Sequence, residues 1–62
     1  MKYSIHVHDD DGDEGFINRY GAWEDGAEID GGLSLVPAIV EMHQETYGCK
    51  VQRIYVRIEE NA

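Results

Sequence analysis

Lys2-Tyr3-Ser4-Ile5-His6-Val7-His8 alternates without a break: Tyr3, Ile5 and Val7 fall on one side, Ser4, His6 and His8 on the other. This is the period of a strand with one buried face. The apolar row needs a cover, and the chain supplies one later. Leu35, Val36, Ile39, Val40, His43 and Tyr47 recur at helical spacing, with Glu41, Gln44 and Glu45 facing away. Ser34 is placed to cap that helix, Pro37 sits in its first turn where the missing N–H costs nothing, and Gly48 stops it. Val51 to Ile58 alternates again, with Ile54, Val56 and Ile58 inward and Arg53, Tyr55 and Arg57 outward.

Between first strand and helix lie turns. Asp9 to Gly15 suits neither strand nor helix, Phe16 to Glu24 predicts a second strand antiparallel to the first, and Asp25-Gly26 is a tight-turn dipeptide. Ala27 to Ile29 predicts a short third strand, ended by Asp30-Gly31-Gly32. The expected fold is a two-layer α+β domain over residues 1–62: an antiparallel sheet of three to four strands with one helix on one face, in the order β-β-(β)-α-β.

A chain of 62 residues buries only about 60% of its unfolded surface. Cys49 is its single cysteine, so no internal disulfide is available, and no paired Cys/His spacing offers a zinc site. No apolar run reaches the length of a signal peptide or a membrane span. The expectation is a soluble, cytoplasmic protein (in the host bacterial cell if phage-derived) without a cofactor.

Charge is the strongest functional signal. The formal net charge is −8, and nine of thirteen carboxylates fall between Asp9 and Asp30: Asp9, Asp10, Asp11, Asp13, Glu14, Glu24, Asp25, Glu28 and Asp30. Against Lys2 and Arg19 they give residues 1–32 a net of −7, leaving −1 for residues 33–62. Self-repulsion of this size opposes a compact fold, which points to a basic partner, and grooves built for nucleic acid are the commonest basic surfaces. A solvated acidic face, or the general acidity of a halophile, are the plain alternatives. The nine acids together with Trp23, a contact hot spot if exposed, form the candidate partner-binding set. Carboxylates at alternate strand positions lie about 6.7 Å apart, close to two phosphate steps of about 3.4 Å.

Chemistry finds less support. Asp9, Asp11 and Asp13 have the one-three-five spacing of an EF-hand, but Glu14 and Tyr20 stand where that loop needs glycine and a bidentate glutamate. His6-Val7-His8 matches the His-x-His of metal-dependent hydrolases, whose barrel needs about 250 residues. No nucleophile elbow or phosphate-binding glycine loop is present. No catalytic residue and no metal ligand is assigned, and a non-enzymatic protein is expected. Arg53, Tyr55 and Arg57 form a small basic and aromatic face, suited to pairing with carboxylates across the sheet or in a dimer.

In size, acidity, single-domain build and lack of catalytic motifs, the whole chain resembles phage-encoded anti-CRISPR proteins, some of which block DNA binding by a type I Cascade complex. The likeness implies an inhibitor acting as an acidic DNA mimic; it rests on no shared motif and so assigns no residue. Met1-Lys2-Tyr3, the acidic hairpin ending Asp13-Glu14-Gly15-Phe16 and the later Ser-Leu helix resemble the N-terminal domain of HicB-type antitoxins, from Met1 to about Val40. Gly21-Ala22-Trp23-Glu24-Asp25-Gly26 replaces the Pro-x-Leu-Pro-Gly-Cys segment common there, and the expectation is a domain without the DNA-binding domain appended in that family.

The expected function is therefore a non-enzymatic inhibitor that binds the basic protein surface of a nucleic-acid-binding complex, with no direct contact to nucleic acid or membrane, as a monomer or weak dimer. The alternatives are an antitoxin-like domain neutralising a small basic toxin, and a structural acidic module with weak divalent-metal binding.

Overall fold

The computed structural model describes residues 1–59. Its elements are strands β1 (Lys2–Asp9), β2 (Glu14–Ile17) and β3 (Ile29–Asp30), a 3₁₀ turn (Leu33–Leu35), helix α1 (Val36–Tyr47) and strand β4 (Val51–Glu59). The small antiparallel α+β arrangement expected from the periodicities is the one observed. β1 is central: β4 pairs along its whole length on one side, while β2 and β3 share the other, β2 against Ile5–His8 and β3 against Lys2 and Tyr3. No helix among the described residues is long and apolar enough to cross a membrane.

Alternation in β1 places Tyr3, Ile5 and Val7 fully inside, where they meet Ile17, Ile29, Ile39 and Val40. Burial of each such aliphatic side chain is worth about 1.5–3 kcal/mol, and the Tyr3 hydroxyl donates to the Gly32 carbonyl at 2.9 Å. A helix of twelve residues is marginal alone, so α1 depends on this packing. It ends as expected, with Gly48 in the left-handed region at φ 64°.

Three local expectations are corrected. Ser34 lies within the 3₁₀ turn and does not cap α1, whose N-cap is Leu35 without a side-chain bond. The second strand stops at Ile17, because the Asn18 side chain accepts hydrogen bonds from the Tyr20 and Ala22 amides and folds the chain back. Gly21, at φ 82°, completes that turn, and Trp23 returns to bridge Ile17. The third strand begins at Ile29, two residues later than expected, where its partners on β1 are found.

Ile54, Val56 and Ile58 do face the helix side, opposite Val7, Ile5 and Tyr3. They nevertheless remain 46%, 40% and 46% exposed. The helix is drawn toward the opposite edge. A Cβ on Gly21 would stand 2.6 Å from the His43 backbone nitrogen, so turn and helix touch backbone to backbone. His43 Nδ1 donates to the Gly21 carbonyl at 2.6 Å, and Trp23 lies edge-on to the His43 ring at 4.5 Å between centroids.

Candidate functional site

Asp9 organises the acidic turn. Its carboxylate is buried, and Oδ1 accepts the amides of Asp11 at 2.9 Å and Asp13 at 3.0 Å. Gly12, at φ 86°, closes the turn, and the Asp9 amide donates to the Asp13 carbonyl. Asp10 ties the turn to the connection between α1 and β4: its amide donates to the Lys50 carbonyl, and its Oδ1 accepts the Lys50 amide at 3.0 Å. The turn is thus ordered by its own first two aspartates, while Asp11 and Asp13 point to solvent. The Asp11 carboxyl titrates above the ordinary carboxylate value, chiefly through the Asp10 charge, then desolvation, Asp9 and Asp13. Like charges held this close favour a positive partner.

The remaining acids follow the sheet edge away from β4. Glu14 opens β2 opposite His8 and meets its Nδ1 at 3.1 Å. Glu24 runs outside β2, its amide donating to the Phe16 carbonyl and its Oε1 accepting from Asn18 Nδ2 at 3.2 Å. Asp25 and Glu28 are exposed in the segment leading to β3. Asp30 ends the row opposite Lys2, 3.7 Å from the amino terminus. A regular hairpin would send the two acidic turns to opposite ends of the sheet. Because the chain turns back at Asn18, Glu24 instead returns beside Phe16, between Glu14 and Asp30. From Glu14 to Asp30 the row runs from His8 to Lys2 of β1, six residue steps, about 20 Å at roughly 3.4 Å per step.

Trp23 stands apart from this row. It is half-buried, its ring lies 3.2 Å from where a Gly15 Cβ would be, and its amide donates to the Tyr47 hydroxyl. Its contacts hold the turn to the helix, so it is a packing residue beside the acids. On the helix-free face, His6 lies 4.9 Å from Phe16 and His8 lies 5.6 Å from Tyr55, between ring centroids. Arg53 and Arg57 flank them opposite His8 and Ser4. This basic and aromatic face is where alternation placed it.

Among the described residues three groups bring possible metal ligands together: His6, His8 and Glu14; Asp9, Asp10 and Asp11; and Asp9, His43 and Cys49. The last is buried throughout and has no sequence motif. A register shift between His8 and Asp9, which sets Asp9 against Val51, brings these distant positions together. His43 Nε2 has no hydrogen-bond partner. Cys49 borders a surface cavity of about 420 Å³, but its thiol is pushed up by burial first and then by Asp9, Asp10 and Asp11. That is the reverse of what activates a thiolate.

No known protein family, curated protein or solved structure matches the chain.

Proposed function

We propose that the protein is a non-enzymatic inhibitor whose acidic edge occupies a basic nucleic-acid-binding surface, acting as a DNA mimic against a CRISPR effector of the type I Cascade kind. The observation that carries this reading is the continuous acidic row from the Asp9–Glu14 turn along β2 and β3. Its length of about 20 Å corresponds to roughly six phosphate intervals of one DNA strand. The row is built on strands and ordered turns, so little ordering entropy opposes docking. Of the five cations, Arg53 and Arg57 lie on β4 across the sheet, while Lys2 faces Asp30 at one end of the row, Lys50 adjoins Asp10 at the other and Arg19 lies in the turn after β2. Nine carboxylates against these three neighbouring cations still leave the edge strongly negative.

The test is an electrophoretic mobility assay of target DNA binding by purified Cascade, with the protein added at increasing concentration. Loss of the DNA complex before any DNA cleavage is the expected result. Unchanged DNA binding at saturating protein would overturn the Cascade assignment. The same edge also suits a small basic toxin, the antitoxin-like alternative, and inhibition of such a toxin with Cascade unaffected would favour that reading.

A further inference from the structure

β4 is nine residues long and, among the described residues, hydrogen-bonds only β1. Its outer edge offers free backbone donors and acceptors, and its helix-side row of Ile54, Val56 and Ile58 is 46%, 40% and 46% exposed. A long apolar edge of this kind is a template for pairing with another strand. We propose that it is closed by the same edge of a second copy, in an antiparallel two-fold pair centred on Val56. The product is one continuous sheet across both copies, with both helices on the same face.

The register follows from the side chains. Antiparallel neighbours share a face, so pairing that keeps both apolar rows under the helices must join residues of equal parity. Centred on Val56, Ile54 meets Ile58 of the second copy and Val56 meets its own twin. On the opposite face Arg53 meets Glu59 of the second copy, and Tyr55 meets Arg57, a cation–π pair. Each of these partners is complementary, and two-fold symmetry doubles every pair off the axis. Neighbouring registers fail. Centring on Tyr55 sets Arg53 against Arg57 and Val51 against Glu59; centring on Arg57 sets Arg57 against itself; centring on Ile54 sets Val56 against Gln52 and leaves Ile58 and Glu59 unpaired.

Long-range charge points the same way. In a chain of net −8, β4 carries Arg53 and Arg57 against Glu59, a local net of +1. It is the one sheet edge free of the acidic row, hence where two such molecules can approach. The pairing leaves both acidic edges at the outer ends of the joined sheet, so it holds whether or not that edge has the partner proposed above.

Sedimentation equilibrium at physiological salt tests the proposal, with circular dichroism confirming that each variant is folded. The wild type should reach twice the 7.0 kDa of one chain. Arg53→Glu alone sets two Glu–Glu pairs across the axis and Glu59→Arg alone sets two Arg–Arg pairs, so each should raise the dimer dissociation constant roughly tenfold. An equimolar mixture of the two variants makes every cross-axis pair attractive again and should regain dimerisation, which also shows that both are competent to fold. Val56→Lys, which places two ammonium groups on the axis, should be monomeric. A wild type at single-chain mass at its highest soluble concentration would overturn the proposal. So would a dimer insensitive to the single variants, or a mixture associating no better than either variant alone.

Discussion

Gly21→Ala should damage the fold far more than alanine at other glycines of similar backbone geometry. Gly21 sits at φ 82°, and an added Cβ would lie 2.6 Å from the His43 nitrogen, 3.0 Å from the His43 Cα and 3.0 Å from the Ile39 carbonyl oxygen. All three are backbone atoms of α1, so no side-chain rotation relieves the overlap. The left-handed conformation alone costs an L-residue about 1–2 kcal/mol. Pushing the turn off the helix also breaks the buried bond from His43 Nδ1 to the Gly21 carbonyl, worth about 1–3 kcal/mol once its partners are left unpaired. The sum of about 2–5 kcal/mol is a large part of the roughly 3–9 kcal/mol expected for a domain of this length. Gly12→Ala is the control: φ is 86° and no atom lies within 4 Å of the added Cβ, so only the conformational cost applies. Urea unfolding followed by Trp23 fluorescence should place Gly21→Ala about 1–3 kcal/mol below Gly12→Ala. Equal stabilities for the two would refute the close approach of turn and helix.

The acidic turn yields two further predictions. Because the Asp11 carboxyl titrates above its ordinary value in the fold, its ionisation at neutral pH opposes folding. Asp11→Asn should therefore give a small gain in thermal stability at pH 7. That gain should vanish as pH falls through the carboxylate range, where the native aspartate is itself protonated; a gain independent of pH would rule out charge as its source. Calcium and a chelator should give melting temperatures equal within about 2 °C, where 1 kcal/mol moves a domain of this size by about 4–8 °C. Asp9 Oδ1 is already committed to two backbone amides, so a large calcium shift would mean the turn rearranges around an ion.

Elements with a clean period were legible in the sequence. β1 alternates, and α1 is framed by Pro37 and Gly48, so both were readable from local chemistry. The strand expected over Phe16 to Glu24 stops at Ile17 because the Asn18 side chain turns the chain back. Asn18 with Gly21 three positions later was the available signal. Alternation gave the direction of Ile54, Val56 and Ile58 correctly but not their exposure. Helix coverage is set by contact between Gly21 and His43, far apart in sequence. Likewise the number of acids was countable, but their alignment along one edge depends on the Asn18 turn. The meeting of Asp9, His43 and Cys49 depends on a register shift that no pattern announces.

Binding through the acidic edge makes affinity depend on the edge carboxylates and on ionic strength. The most direct measurement is inhibition of Cascade–DNA binding across a salt series, for wild type, an edge variant (Glu24→Lys, Asp25→Lys, Glu28→Lys) and a helix variant (Glu41→Lys, Glu45→Lys). Wild-type affinity should fall steeply as salt rises, since exposed charges are screened beyond about 8 Å at physiological ionic strength. Edge reversal should weaken binding by several kcal/mol, as attractive pairs become repulsive, while the helix variant inhibits like the wild type. A flat salt response, or a sensitive helix with a silent edge, would rule out binding through the acidic edge.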